Sequence, residues 1–478
     1  MAHFDLARRD TIAALATAPQ ASAIAVVRIS GPAADAIRAC VFQPTRSKTQ
    51  RPFVATLGHV VDVGVQDGEP NILDEALCVS FPAGKSYTGE TAFELSLHGG
   101  KTRVQSVLRS LLAAGCRLAE PGEFTMRAVL TGKMDLTEAE AVHQLVAARS
   151  DEAARVALRN LSGGLSAVLE PVRESIINTL AELEARLDFP DEELGDSATE
   201  KLCVLLESAT RSLQKLLGGA LLGRRLTEGA RVVLYGAPNA GKSTLLNALV
   251  GEERALVHES PGTTRDVLEA ECLLGGIPVL LVDVAGIRDN TDVHPVEALG
   301  IARAKQELQR ADAVLLVVDS TSDDVKQQFE TWLAHLGQVP ALHVLNKSDL
   351  LEPSSRNELL RTCGGPPESS QRGIGIYSVS GREGDGIDGL KNALQSALVA
   401  DGMQEKDEVL LAGARQREEV ERAAEALKLG IEALRSGWDH EVVASEFRGA
   451  GRCLDRLLGK DLNEDVLDTV FTRFCIGK

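Results

Sequence analysis

The sequence predicts a multidomain chain of α/β and all-α character: a doubly wound sheet inserted in a helical domain, preceded by an α+β domain. Three observations carry that prediction. A glycine-rich loop, Gly236-Ala-Pro-Asn-Ala-Gly-Lys242-Ser243-Thr244, lies between the apolar run 232–235 and a helical stretch at 243–249. Further apolar runs at 279–282, 341–345 and 374–379 each lead into a polar motif. Upstream, Leu158, Leu161, Leu165, Val168, Val172, Ile176, Leu180, Leu183 and Leu187 recur every three or four residues, the period of one helix face.

Along the chain, residues 1–132 read as mixed α/β. Strands are expected at 23–29 and 76–81 and a helix at 104–112, with Pro121-Gly122 and Thr131-Gly132 as breaks. From 133 the pattern turns helical. The stripe from Leu158 to Leu187 is expected as one long helix, kinked at Pro171 and ended by residues 188–193. A second helix is expected over 198–222, closed by glycines at 218–223. Residues 228–399 then form the doubly wound unit, and 400–478 are helical again. The expected domains are 1–132, 133–227, 228–399 and 400–478, with the helices on either side of the insert packed together.

The loop fits the G-x-x-x-x-G-K-[ST] pattern in the strand–loop–helix context it needs. Its glycines let backbone N–H groups and a helix N-terminus face phosphate oxygens. Lys242 would reach the β- and γ-phosphates and Ser243 would hold Mg²⁺. Asn239, Ala240, Gly241 and Thr244 complete this part of the nucleotide site. Asn346-Lys347-Ser348-Asp349 names the base. A carboxylate such as Asp349 accepts two coplanar hydrogen bonds, and guanine offers N1–H and an exocyclic amine as a matched pair where adenine does not. Asp283-Val284-Ala285-Gly286 would reach Mg²⁺ through water and sense the γ-phosphate. Thr264, in Gly262-Thr263-Thr264, is the candidate second Mg²⁺ hydroxyl. Ser380-Gly381-Arg382 closes the set as a base-contacting loop. The order of these motifs predicts a GTPase. Ras-type GTPases orient the attacking water with a Gln just after D-x-x-G. Here that position is Ile287, so the developing charge needs another residue, a cation or a partner.

Composition narrows the setting. Net charge is −18 over 478 residues, which argues against broad adhesion to nucleic acid or anionic membrane. No DNA and no membrane partner is expected. No apolar run approaches the roughly 18 residues of a membrane span, and the N-terminus lacks the apolar core of a signal peptide. The eight cysteines include no C-x-x-C pair, so a reduced, cytoplasmic protein is expected.

The chain resembles the MnmE (TrmE) family of tRNA uridine-modification GTPases from end to end. The resemblance rests on Asp10-Thr-Ile-Ala-Ala-Leu, Val27-Arg28-Ile-Ser-Gly31, Tyr87-Thr-Gly-Glu90, Glu94, His98-Gly-Gly100 and Pro121-Gly-Glu-Phe124. It continues through the Pro-Asn-Ala insert of the phosphate loop and Gly-Thr-Thr-Arg-Asp266 to the terminal Phe474-Cys475-Ile476-Gly477-Lys478. It implies a K⁺-dependent GTPase in which potassium supplies the missing positive charge. The K⁺ ligands carried over are Asn239, His258, Ser260 and Thr263. The loop His258, Glu259, Ser260, Pro261, Gly262 and Thr263 is counted with the nucleotide-binding residues. Val296-Glu297-Ala-Leu-Gly300-Ile301 matches the pattern that carries the family's water-orienting glutamate, so Glu297 is the catalytic candidate beside Asn239.

The resemblance also implies a homodimer and a front domain that binds a 5-formyltetrahydrofolate-type donor through Arg28, Glu94, Lys133 and Lys478. Cys475 stands as a redox or nucleophilic candidate, or as a small buried hydrophobe. The implied partners are tRNA and an FAD-containing MnmG (GidA)-type protein, which together place a carboxymethylaminomethyl or aminomethyl group at C5 of the wobble uridine. The chain departs from the family pattern at Ala18-Pro-Gln-Ala-Ser-Ala23, at Val284 in place of Thr, and at Leu458-Gly-Lys-Asp461. A rival reading is a GTP-dependent ribosome-assembly switch without modification chemistry.

Overall fold

The computed structural model describes residues 10–46, 51–64, 71–188, 196–251, 268–284, 305–333, 336, 339–363, 375–399, 409–462, 464–472, 474 and 477. They divide into two compact units. One comprises 1–146, 160–210 and 419–478; the other comprises 147–159 and 211–418. Chain segments from both sides of the central motifs therefore share a unit, as an insertion requires.

The chain opens with β1 (Ile12–Leu15), β2 (Ile24–Ser30), α1 (Ala34–Val41), β3 (Phe42–Pro44), β4 (Thr56–Val61), β5 (Ile72–Phe81), β6 (Ala92–His98), α2 (Lys101–Ala113), β7 (Arg117–Leu118) and α3 (Glu123–Leu130). The strands form one sheet in the order β3-β4-β5-β6-β2-β1-β7, antiparallel apart from the β1–β7 pair. Alternate residues of β2 and β6 (Val27, Ile29, Phe93, Leu95, Leu97) bury against Val104, Val107 and Leu111 of α2, leaving the opposite register for polar groups. Gly122 ends the preceding turn at φ +72, and a Cβ there would lie 2.9 Å from the Phe471 carbonyl oxygen.

Helices follow: α4 (Leu136–Ala147), α5 (Asp151–Leu161), α6 (Gly164–Asp188) and α7 (Asp196–Glu228). The expected single helix through Leu158 and Leu187 is two helices. The break falls at Gly163, which adopts φ +80, and Leu158 is exposed rather than on the buried stripe. Three-to-four spacing continues across such a break because it records side-chain period, not backbone continuity. Within α6 the buried face is Leu165, Leu169, Val172, Ile176 and Leu183. The second helix also departs from expectation, since α7 runs through the glycines at 218–223 to Glu228. Gly223 is there for space: a Cβ would meet the Leu411 carbonyl oxygen at 2.1 Å.

The second unit holds β8 (Ala230–Tyr235), α8 (Lys242–Val250), β9 (Leu268–Leu274), β10 (Ile277–Asp283), β11 (Ala313–Asp319), α9 (Val325–Leu333), β12 (Ala341–Asn346), α10 (Pro353–Thr362), β13 (Ile376–Ser378) and α11 (Ile387–Val399). Sheet order is β13-β12-β11-β8-β10-β9, parallel except for the edge pair β10–β9. Leu245, Leu249, Leu390 and Leu394 cover one face, and Val325, Phe329 and Trp332 the other. Both faces of the central strands are thus buried, which is why β11 reads as an unbroken Ala-Val-Leu-Leu-Val-Val run.

The chain closes with α12 (Ala414–Arg435), α13 (His440–Leu458) and α14 (Glu464–Phe471). In the first unit α13 packs on α6, with ion pairs Arg173–Asp455, Lys460–Glu170 and Arg448–Glu184 along the seam. Among the described residues no helix is long and apolar enough to cross a membrane.

Candidate functional site

In the second unit, β8 lies between β10 and β11, so the connection that leaves β8 and the one that leaves β10 run to opposite sides of it, which makes the carboxyl end of β8 a topological switch point. Gly236 leaves β8 at φ +151, and a Cβ there would sit 2.0 Å from the Val317 carbonyl oxygen. Asn239 is exposed and left-handed at φ +63, a conformation an asparagine tolerates better than most residues. Gly241 caps α8 at φ +86 and no side chain caps the helix. The first-turn N–H groups of α8 therefore remain suited to an anion.

Lys242 is buried and donates to the carbonyls of Gly236 (3.1 Å) and Ala237 (3.0 Å). Burial lowers its pKa, while the Asp283 carboxylate opposes that shift. Ser243 and Thr244 are exposed on the first turn. Ser243 Oγ donates to Asp283 Oδ2 at 2.5 Å, and Asp283 Oδ1 is buried without a hydrogen-bond partner. A hydroxyl beside an orphaned carboxylate oxygen is the donor set a hard divalent cation takes, so these two residues fit Mg²⁺. Val284 follows, buried, donating to the Leu234 carbonyl.

Asn346 ends β12 and is buried. Its Nδ2 donates to the carbonyls of Ala240 (2.9 Å) and Gly241 (3.3 Å), and its Oδ1 accepts from Gly381 N–H at 3.0 Å. The asparagine of the base motif thus joins the phosphate loop to the Ser-Gly-Arg loop. Lys347 is left-handed at φ +62, and Ser348 and Asp349 lie on a short 3₁₀ turn. Ser348 is buried, while Asp349 is exposed and able to meet a base. Ser380 is buried and accepts from Glu383 N–H at 3.0 Å, holding the last loop; Arg382 is 82% exposed.

The structure therefore brings Asn239, Ala240, Gly241, Lys242, Ser243, Thr244, Asp283, Val284, Asn346, Lys347, Ser348, Asp349, Ser380, Gly381 and Arg382 to the carboxyl ends of neighbouring strands. His258, Glu259, Ser260, Pro261, Gly262, Thr263, Thr264, Ala285, Gly286, Glu297, Cys475 and Lys478 lie outside the described residues. Motif reading missed Asp319, which pairs with Lys347 at 2.6 Å. An Asp at the end of an apolar run was its only signal.

In the first unit, Arg28 and Glu94 face each other across β2 and β6 and form an ion pair of 2.8 Å. The Arg28 guanidinium stands 4.9 Å from the Tyr87 ring centroid and 5.7 Å from that of Phe124. Lys133 is exposed and donates to the Gly84 carbonyl at 3.3 Å. Sequence reading passed over the neighbouring network in which Arg127 and Arg117 both bind Asp10 and Glu123.

A phosphate loop at the switch point of a doubly wound sheet, tied through Asn346 to the turn that carries Asp349, defines a P-loop GTPase. Residues 136–475 match the family described as "MnmE helical domain", and residues 11–133 match "GTP-binding protein TrmE N-terminus". The "tRNA modification GTPase MnmE" of Symbiobacterium thermophilum is 42% identical over 472 residues, covering 98% of this chain and 99% of that protein. Those of Chloroflexus aurantiacus (39% over 472 residues; 98% and 100% covered) and Thermotoga petrophila (37% over 473 residues; 98% and 100%) carry the same name. The chain belongs to the MnmE (TrmE) family and is a GTP-hydrolysing enzyme.

Proposed function

We propose that this chain is a K⁺-dependent GTPase whose cycle drives modification of wobble uridine in tRNA. It would act as a homodimer with an FAD-containing MnmG-type partner in the cytoplasm, adding a carboxymethylaminomethyl or aminomethyl group at C5. The observation that carries the tRNA assignment is the 42% identity across 98% of the chain with a relative named for that activity. The potassium assignment is supported by Asn239, which projects exposed and left-handed from the phosphate loop where an amide oxygen could serve a monovalent cation. His258, Ser260 and Thr263 would complete that site, and Glu297 would orient the attacking water. Mg²⁺ would be held by Ser243 and Thr264.

The domain plan that accompanies this reading is 1–132 for folate binding and dimerisation, 133–227 and 400–478 for the helical domain, and 228–399 for the GTPase. The paired Arg28 and Glu94 beside aromatic rings supply the groups a pterin and its carboxylate tail need, with Lys133 and Lys478 as further cations. The folate, when bound, supplies the one-carbon unit, and Cys475 is held as a redox or nucleophilic candidate.

Steady-state GTP hydrolysis in matched KCl and NaCl tests the potassium reading. A marked rate increase in KCl that disappears in Asn239→Ala is expected, and equal rates in the two salts would sink it. Mass analysis of tRNA nucleosides from a strain lacking the chain tests the second part; unchanged wobble uridines would remove it.

A further inference from the structure

We propose that Asp319 is a positioning residue for guanine selection, clamping Lys347 in the conformation that aims Asp349. The inference rests on the reading of Asp349 as the base-recognising carboxylate.

Lys347 adopts φ +62, a conformation disfavoured for any side chain with a Cβ. Something must hold it there, and the turn that follows β11 does so at several points. Asp319 is the register partner of Asn346 across β11 and β12. Its Oδ2 accepts from Lys347 Nζ at 2.6 Å. Its Oδ1 is fixed in turn by Thr321, through the backbone N–H at 2.9 Å and Oγ1 at 2.7 Å. Between them, Ser320 N–H donates to the Asn346 carbonyl and Ser320 Oγ to the Lys347 carbonyl, each at 3.0 Å. The Lys347 stem passes the phosphate loop, with Cε 3.8 Å from where a Gly241 Cβ would stand.

Only Ser348 separates the clamped Lys347 from Asp349. The 3₁₀ turn that carries Asp349 starts at Lys347, through the Leu350 N–H to Lys347 carbonyl bond of 3.1 Å, so the dihedral angles of Lys347 set the direction of the carboxylate. The Asp319–Lys347 pair is itself partly open to solvent, with side chains 21% and 33% exposed. A pair of that kind adds little to global stability. Its consequence is geometric and falls on the base-recognising turn.

The test compares GDP with IDP, which lacks the exocyclic amine, on the full chain. Asp319→Asn keeps the shape of the side chain and removes its charge. It is expected to weaken GDP binding by about fivefold to tenfold, the scale of one charge-assisted hydrogen bond in a half-open site. IDP has one bond fewer to lose, so it weakens less and the GDP-over-IDP preference narrows. Ser320→Ala shifts the preference in the same sense by a smaller factor, and it decides the matter should Asp319→Asn fail to fold. On a Lys347→Met background, Asp319→Asn adds no further loss. Equal weakening for both nucleotides, an unchanged preference in both variants, or an additive loss on the Lys347→Met background overturns the clamp. A wild-type chain that binds GDP and IDP equally overturns the Asp349 reading itself, a result distinct from a wild-type preference that Asp319→Asn and Ser320→Ala leave intact.

Discussion

The side-chain amide of Asn346 donates to the carbonyl of Ala240 at 2.9 Å, joining the end of one strand to the loop that follows another. The same amide accepts from the N–H of Gly381, so one buried group braces the phosphate loop and the Ser-Gly-Arg loop together. Removing it takes a partner from two loop carbonyls and from one N–H. Asn346→Ala is expected to cost about 2 kcal/mol of stability and to weaken GDP binding about tenfold or more. Gly241→Ala should resemble it, because its Cβ would lie 2.4 Å from Asn346 Nδ2. Chemical denaturation and nucleotide titration check both; a variant that binds GDP like the parent would contradict the brace.

Lys242 spends its donors on loop carbonyls and sits where the β- and γ-phosphates are expected. Lys242→Met keeps the apolar stem but supplies no charge to the transferred phosphoryl group. GTP hydrolysis should fall by about a hundredfold or more, an effect larger than the roughly 1–2 kcal/mol of stability lost when the two loop carbonyls lose their donor. Single-turnover kinetics separates that loss from a change in binding.

Asp312 is the shared acceptor for Arg224, Arg225 and the Arg231 N–H, and Arg225 also donates to the Leu398 carbonyl at 2.5 Å. Arg225 and Asp312 are each only 4% exposed. Asp312→Ala strands a buried guanidinium and should destabilise the GTPase unit by about 3 kcal/mol or more. Replacing Asp312 and Arg225 together by apolar residues should recover part of that loss, as measured by denaturant unfolding.

Asp10 has its carboxyl held down at about 2 from an ordinary 3.8, first by the hydrogen bond from Arg117, then by that from Arg127, against the opposing effect of burial. The unfolded chain takes up this proton before the folded chain does. The resulting stabilisation is complete above 3.8 and is lost as the pH falls from there toward 2. Asp10→Asn should flatten that portion of the acid-unfolding curve; an unaltered curve would show that the arginines bind without thermodynamic effect.

Much of the site was legible because its chemistry is tied to short stretches of backbone. A loop expected to wrap phosphate calls for glycines, and Gly236 and Gly241 both adopt positive φ. The apolar runs were equally plain, since strands buried on both faces leave no polar alternation to confuse them. Helix limits were less so. Glycine reads locally as a break, yet at Gly223 it serves a close approach by Leu411, while the true break at Gly163 sits inside an uninterrupted apolar period.

The amino-acid order by itself determined the nucleotide class, the strand–loop–helix setting and the central sheet, because each depends on residues near one another in the chain. Only the tertiary structure decided which groups meet across it: Asn346 with Ala240, Asp319 with Lys347, Asp312 with Arg225, Arg28 with Glu94. Those pairings are set by strand order and register, which arise from burying whole faces of sheet and helix, and no local pattern of residues encodes them.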